Sequence, residues 1–510
     1  MSLLNSVYRL YNRKLLKELD LSSQDPAPFQ EATFSYLLSH GANTLFGETY
    51  KMSEIKDIRV FQDRIPLHDY DRLEPYIKQS LKGVENVLWD MPVFWFALSS
   101  GTSSARSKFI PINRENLNAC HYKGMLTMLS NYVRTFPKSR LFRGKSLTLG
   151  GNRHIDKSVD SNCCYGDLSA FLIINTPLIA RFFTTPGKKM GLIPNFEYKI
   201  EKVSRLIAGQ NLVSFSGVPS WNLILMRKVL QQTGKNNLHE LWPNMELFMH
   251  GGVCFEPYRV HYKELFPSEN MHYMETYNAS EGFFAFQTDL NDPGLQLLPN
   301  VDVFYEFIPL DKLEAAQNGS YTKFLTLSEV QTGQPYAMVI STSSGLWRYL
   351  IGDTIRFTHR NPHKILITGR TKLFINTFGE ELMIENAGRA LSRACSLTGA
   401  SVHEYTVAPV FMDGQKKGAH QWLIEFENPP ADPEAFKGIL DQSLMNVNSD
   451  YHAKRLDTGT MDPPHITNMK KGSFYRWLAM NDKLGGQSKV PRLWSNREYV
   501  EALLEINEKL

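Results

Sequence analysis

Apolar and polar positions follow three successive rhythms along this chain, and the changes of rhythm divide it. Up to about residue 90 the apolar residues recur at helical spacing. Leu4, Val7, Tyr8, Tyr11 and Leu15 fall on one face, which predicts an amphipathic helix packed on the core. Turn-rich stretches at 24–29 and 40–47 separate further helical segments. From there to about 240, strand-like runs at 146–149, 171–174 and 212–215 alternate with helical periodicity at 116–135 and 219–232, a pattern expected of α/β folds. Between 245 and 360 the runs at 247–250, 301–307, 322–327, 335–342 and 354–358 are joined by Asn, Asp and Gly turns, predicting a sheet or β-barrel-like portion. Beyond Gly369-Arg370 come a helix at 385–398, a strand pair at 402–410 and 419–427, and a helix from about Pro433. The fold expected is therefore α/β, with a large N-terminal domain over 1–371 and a small α+β C-terminal domain over 372–510.

One interruption of the apolar pattern stands apart. The run 94–98 stops at Ser99, Ser100, Gly101, Thr102, Ser103 and Ser104, and apolar sequence resumes at Phe109 only after Arg106 and Lys108. Strand, hydroxyl-rich turn and returning strand is the simplest reading. Five hydroxyls and a glycine in six positions can surround an anion with O–H and N–H donors, while Gly101 lets the backbone come close. Ser, Thr and Gly are equally the residues of an ordinary hairpin connection. No second glycine precedes a Lys-Ser or Lys-Thr pair, so this is not the G-x-x-x-x-G-K-[ST] loop.

Three further spots could carry chemistry. Gly251-Gly252 follows the strand end at Leu247-Phe248, where paired glycines let a flat ring lie on the backbone or simply make a turn. Tyr277-Asn278-Ala279-Ser280-Glu281 has the spacing Y-x-x-[ST]-E, which offers an aromatic face, a phosphate donor and an oxygen ligand for Mg²⁺, or else a loop with an exposed glutamate. In Tyr349-Leu350-Ile351-Gly352-Asp353 the aspartate can accept two hydrogen bonds from a ribose diol, or can belong to a hairpin turn.

Composition narrows the classes. A chain of 510 residues with 42% hydrophobic and 12% aromatic content buries large cores. A net charge of +4 without a long basic run disfavours nucleic acid as a partner. The first twenty residues lack the apolar core of a secretory signal, and the most apolar segments fall short of the roughly 20 residues a membrane span needs, so no membrane partner is expected. Five cysteines, Cys120, Cys163, Cys164, Cys254 and Cys395, fit neither a disulfide framework nor a zinc site, which points to a reducing cytoplasm. H-E-x-x-H, G-x-S-x-G and G-x-G-x-x-G are absent.

Taken in order, S-S-G-T-[ST], G-G, Y-x-x-[ST]-E, Y-x-x-G-D and Gly369-Arg370 resemble the adenylate-forming superfamily of acyl-CoA synthetases, luciferases and peptide-synthetase adenylation domains. Pro75-Tyr76-Ile77, residues 99–111, Tyr305-Glu306-Phe307-Ile308-Pro309, residues 347–353, Asn448-x-Asp450-Tyr451, Gly472-Ser473-Phe474 and residues 487–492 carry a closer likeness. On them the chain is similar to the auxin-responsive (Gretchen Hagen) family of acyl-acid amido synthetases, in a bacterial-type form. It departs from plant members at Asn278, where a small residue is usual, and in retaining Gly369-Arg370.

The resemblance implies a ligase that uses ATP and Mg²⁺ to turn a small carboxylic acid into its acyl-adenylate, then passes the acyl group to an amino acid. It assigns Ser99, Ser100, Gly101, Thr102 and Ser103 to the β and γ phosphates with Lys108 close by, Ser280 to the α-phosphate and Glu281 to the metal. Gly251 and Gly252 would back the adenine and Tyr277 would stack on it, with Tyr349 nearby, while Asp353 and Arg370 would reach the ribose. Lys489 is the implied mobile catalytic lysine, with Lys471 as its rival, and Lys372 the implied hinge between the domains. The acid would draw on the 116–135 helix and on Phe215, Val218 and Trp221, unless these are plain core. Coenzyme A as acceptor, or a silent nucleotide-binding role, are the alternatives. Nothing in the sequence points to an obligate protein partner.

Overall fold

The computed structural model describes residues 3–99, 108–151, 153–155, 163–252, 255–371, 374–380, 382–412, 417–480 and 492–510. Two compact units emerge, one built almost wholly from residues up to Thr371 and the other from residues beyond it.

The first unit opens with helices. Several begin where a short oxygen-bearing side chain can take an orphan N–H: Thr44 accepts from Gly47, Asp57 from Val60 and Asp69 from Arg72. Helix Leu3–Tyr11 turns only part of the expected face inward. Leu4, Val7 and Tyr11 are exposed, at 49%, 56% and 86%, whereas Asn5 and Asn12 are buried. Asn5 Nδ2 donates to the Ser139 carbonyl at 2.8 Å and Tyr8, the stripe residue that packs inward, lies on Phe142.

Fifteen strands follow among the described residues. They are β1 (Trp95–Ser99), β2 (Lys108–Ile112), β3 (Lys145–Thr148), β4 (Arg153–Ile155), β5 (Cys164–Gly166), β6 (Thr184–Thr185), β7 (Leu212–Gly217) and β8 (Leu247–His250). Then come β9 (His272–Ala279), β10 (Gly282–Gln287), β11 (Leu295–Leu297), β12 (Val303–Pro309), β13 (Pro335–Thr342), β14 (Tyr349–Arg360) and β15 (His363–Arg370). A small sheet has the order β2-β1-β5-β4, and the large one β12-β13-β14-β15-β11-β10-β9-β8-β7-β3-β6. From β9 to β6 the large sheet is parallel; from β9 to β12 it is antiparallel. The run at 171–174 is a helix, Leu168–Ile174, since a short apolar run carries no period that separates the two states. The 322–327 run makes a single bridge, Leu325 to Phe307, in place of a strand.

The antiparallel half is rolled. Three strands separate β9 from β14, which in a flat sheet would put them about 19 Å apart at ~4.8 Å per strand. Yet Tyr277 on β9 and Asp353 on β14 share a hydrogen bond of 2.5 Å, so the strands between them curl around the barrel-like interior. One apolar core runs from the N-terminal helices (Leu19, Phe34, Phe46) through Phe96 and Ile110 to Phe284, Phe307 and Ile355.

The second unit is α+β. A pair, β16 (Phe374–Ile375) and β17 (Leu382–Met383), accompanies the sheet β18 (Ser401–Val410), β19 (Ala419–Asn428) and β20 (His465–Asn468). Helices Ile384–Thr398, Pro433–Val447, Ser473–Met480 and Glu498–Lys509 belong to it. Fully buried Glu380 and His420 meet at 2.8 Å, and Asn448 Nδ2 donates to the Glu380 carbonyl at 2.8 Å while its Oδ1 caps Tyr451. These two residues of the Asn448-x-Asp450-Tyr451 motif thus hold the unit together.

Candidate active site

Parallel strands β3, β7, β8 and β9 end side by side, the edge at which open α/β sheets take ligands. At the end of β8, Gly251 lies so close to β9 that a Cβ would come 2.4 Å from the Thr276 carbonyl oxygen. Glycine is required there by the approach of two backbones, and Gly252, at φ +81°, turns the chain away. Thr276 Oγ1 donates to the His250 carbonyl at 3.1 Å and fastens the two strands.

Tyr277 comes next. Its hydroxyl donates to Asp353 Oδ2, and both side chains are only 5% exposed. An O–H donor on a carboxylate at this distance is a charge-assisted bond, which orients the carboxylate. Beyond Ala279 the chain reverses in two residues, Ser280 and Glu281, because Ala279 pairs directly with Gly282. Glu281 is therefore set at a tight hairpin tip, and it is 6% exposed rather than solvated.

Asp353 is not in a turn. It lies inside the twelve-residue β14, paired with Arg370 on β15, just after Gly352 at φ +95°. Four residues earlier on β14 is Tyr349, whose hydroxyl accepts a hydrogen bond from Lys108 Nζ at 3.3 Å. Lys108 is 4% exposed, with Nζ 5.8 Å from the Tyr70 ring centroid and 5.9 Å from that of Tyr349. Aromatic faces thus help to hold a cation out of water. Burial pushes the Tyr70 hydroxyl up to about 12, so it stays neutral and accepts the Phe109 N–H at 2.9 Å.

β14 therefore links two of the spots. Lys108, immediately after the hydroxyl-rich segment, meets Tyr349, and Tyr277 of the Y-x-x-[ST]-E segment meets Asp353. Gly251 joins them through Thr276, the residue before Tyr277. Ser100, Gly101, Thr102, Ser103, Lys372 and Lys489 lie outside the described residues, and for Ser99 and Arg370 the backbone alone is described. The rival Lys471 forms an exposed ion pair with Glu427 at 3.4 Å.

Phe215 packs in the core. It is fully buried and stacked on Phe248 at 4.2 Å and Phe266 at 5.5 Å. Val218 and Trp221 are half-buried, and Val218 Cγ2 would lie 3.8 Å from a Cβ on Gly252. Sequence reading also missed the partnership of Arg348 and Glu306. Their side chains are 1% and 0% exposed and meet at 3.1 Å, with Arg348 Nη1 donating to the Gln62 carbonyl at 2.8 Å. No local signal links residues 42 positions apart. Only the hybrid wording of 347–353, half core and half site, hints at the division.

Family models now decide the lineage. The GH3 family N-terminal domain matches residues 15–271, the GH3 family central domain 296–370 and the GH3 family C-terminal domain 385–498. The chain belongs to the GH3 family. Among curated relatives of this GH3 protein, indole-3-acetic acid-amido synthetase GH3.4 of Arabidopsis thaliana is 22% identical over 94% of this chain and 91% of its own length. Jasmonoyl--L-amino acid synthetase GH3.5 of Oryza sativa subsp. japonica is also 22% identical, over 94% of each chain. The solved structure of AtGH3.15 acyl acid amido synthetase in complex with 2,4-DB superposes with a TM-score of 0.61 over 97% of this chain and 96% of that one, at 17% identity, which shows the shared fold.

Proposed function

We propose that this GH3 protein is an ATP-dependent acyl-acid amido synthetase that adenylates a small carboxylic acid and transfers the acyl group to an amino acid. The observation that carries the reading is the Tyr277–Asp353 hydrogen bond, which brings two segments 76 residues apart onto one place beside the Gly251 strand crossing. In the first half-reaction the acid's carboxylate attacks the α-phosphate, forming the acyl–O–P bond and releasing pyrophosphate. In the second the amine attacks the acyl carbon, forming the amide and releasing AMP.

Two anions must meet in the first step, so fixed donors and cations at the point of attack supply most of the help a protein can give. Asp353, held by Tyr277, accepts the ribose hydroxyls, and the glycine pair lets the adenine lie on the backbone. Lys108 is a desolvated cation beside the 99–103 segment, which wraps the β and γ phosphates. Ser280 donates to the α-phosphate. Glu281 fits Mg²⁺, because a nucleotide-borne Mg²⁺ takes one or two protein carboxylates and draws its other ligands from phosphate and water. That ion would supply charge neutralisation at the phosphates. Lys489 brings its ammonium to the α-phosphate and acyl carboxylate, and Lys372 is the pivot between half-reactions.

Cys120 and Cys395 are free thiols, and no helix among the described residues is long and apolar enough to cross a membrane. We propose a cytoplasmic location, a reading supported by an odd cysteine count without C-x-x-C spacing. The test supplies Mg-ATP and a panel of acids with either an amino acid mixture or coenzyme A. AMP formed stoichiometrically with an N-acyl amino acid is expected, and a thioester product alone refutes amide transfer. Lys489→Ala is expected to abolish acid-dependent pyrophosphate exchange while ATP still binds; normal exchange in that variant removes Lys489 from the mechanism.

A further inference from the structure

The helix after β2 is irregular in one place. Arg114–Asn116 is α-helical, Leu117–Tyr122 is π-helical, and α geometry resumes over Lys123–Thr135. A π-turn closes i→i+5 hydrogen bonds and sits disproportionately at functional sites, because it redirects side chains at a cost to the helix. Here it lies against the hairpin that carries Ser280 and Glu281. Cys120 Sγ accepts the Phe283 N–H at 3.3 Å, and a Cβ on Gly282 would come 3.1 Å from that sulfur. The next residue, His121, places Nδ1 at 3.3 Å from Asn278 Oδ1. Asn278 and Phe283 are cross-strand partners, so two consecutive residues of the π-turn hold both strands just outside the hairpin tip.

Polar atoms of this turn are buried and unmatched. His121 is 1% exposed and its Nε2 has no hydrogen-bond partner among the described residues; Asn116, at the head of the π-turn and also 1% exposed, has none there for Oδ1 or Nδ2. Unmatched buried polar atoms cost stability, and aliphatic side chains of similar volume would avoid that cost. With Nδ1–H donating to Asn278 Oδ1, the lone pair of the ring is on Nε2. Burial holds the imidazole neutral, its pKa pushed down to about 4. His121 thus offers an acceptor, and Asn116 one acceptor and one donor.

We infer that the acyl acid lies against the π-turn beside the Asn278 end of β9, and that it carries a hydroxyl group that donates to His121 Nε2 and accepts from Asn116 Nδ2. The inference rests on the adenylating reading and deepens it by naming the class of acid. A carboxylate attacking a phosphate held at Ser280 must end at that hairpin tip, so the body of the acid extends over a surface next to it. Asn278, two residues before Ser280 and exposed, borders that surface with His121 behind it. An unsubstituted acid leaves the buried nitrogen unmatched, and sites built around a substrate hydroxyl discriminate strongly against analogues without one.

The experiment is acid-dependent pyrophosphate exchange on matched acids: benzoate against its three monohydroxy derivatives, propionate against lactate, and butyrate against its 2-, 3- and 4-hydroxy derivatives. At least one hydroxy acid is expected to exceed its parent by about 100-fold in kcat/KM. His121→Leu is expected to bring that ratio to about 1, His121→Gln, which keeps an acceptor, to restore part of it, and Asn278→Ala, at an exposed position, to reduce it about tenfold by releasing the tautomer. Equal kcat/KM within every pair, or a His121→Leu loss shared equally by hydroxy acid and parent, overturns the inference and leaves adenylation standing. No exchange with any acid, in this panel or a wider one, overturns the adenylating reading and this inference with it.

Discussion

Replacing Tyr277 with Phe removes one oxygen from the middle of the candidate site and leaves the ring. Its hydroxyl lies 2.5 Å from Asp353 Oδ2, and both residues are 5% exposed, so water cannot readily replace the lost donor. Hydrogen bonds to a charged group contribute about 1.5–3 kcal/mol, which corresponds to roughly 10- to 150-fold in binding. The ring keeps its edge-on contact with Phe284 at 4.9 Å, so the fold is expected to stay intact. Tyr277→Phe should raise the KM for ATP by that factor in pyrophosphate exchange, with kcat changed far less, because the ribose is bound alike before and during attack. Asp353→Asn should cost at least as much, and the double variant should cost less than the sum, with a coupling of about 1 kcal/mol or more. A KM for ATP within twofold of wild type in Tyr277→Phe, or strictly additive losses, would show that the pair does not act together on the nucleotide.

Three other outcomes follow from the packing and the charges. Gly251→Ala should lower the melting temperature by roughly 2–10 °C, since overpacking against the Thr276 carbonyl costs about 1–3 kcal/mol; unchanged melting in calorimetry would show that the strands can part. Arg348→Met should destabilise the first unit by about 3–5 kcal/mol in urea titration by leaving Glu306 buried and unpaired, and Glu306→Leu in the same chain should recover much of that loss. Glu115, half-buried and bonded to the Trp89 indole N–H at 2.9 Å, has its carboxyl pushed up to about 7 by burial first and the Asp302 charge second. The folded chain then binds more protons than the unfolded one between pH 4.5 and 7, so stability falls as pH rises through that window. Glu115→Gln should therefore melt above wild type at pH 8 by an amount on the order of 1–2 kcal/mol after allowing for exposure, with the gap closing toward pH 5.

What could be read in the sequence is what one segment decides for itself. The helices at 219–233, 384–398 and from Pro433 carry enough period or capping to be placed within a residue or two, as do the strand pair β18 and β19. Gly251, Tyr277 and Asp353 could be singled out because each belongs to a short local pattern, G-G, Y-x-x-[ST]-E or Y-x-x-G-D. Features that depend on a distant partner could not. The 171–174 run is helical, and Leu3–Tyr11 leaves Leu4, Val7 and Tyr11 exposed while Asn5 and Tyr8 find partners at Ser139 and Phe142. The π-turn leaves the helical spacing of 116–135 almost unchanged, so only the backbone reveals that His121 and Asn116 are turned where an α-helix would not put them.

β14 shows most clearly why a site can be half legible. Gly352 breaks the apolar run, and a strand read from the sequence begins after it, at 354, leaving Gly352-Asp353 as a turn. In the fold the strand starts at Tyr349 and passes through the glycine: the register against β13 shifts between Leu350 and Thr354, β15 pairs with Asp353 through Arg370, and glycine tolerates the φ of +95° there. That continuity puts Tyr349 and Asp353 on one rigid element, one answering Lys108 and the other Tyr277. Local composition could single out the aspartate, but only the rolled antiparallel sheet brings it to the tyrosine. A change that straightens β9 to β14 without touching Tyr277 or Asp353 should therefore cost nucleotide affinity as surely as removing either side chain.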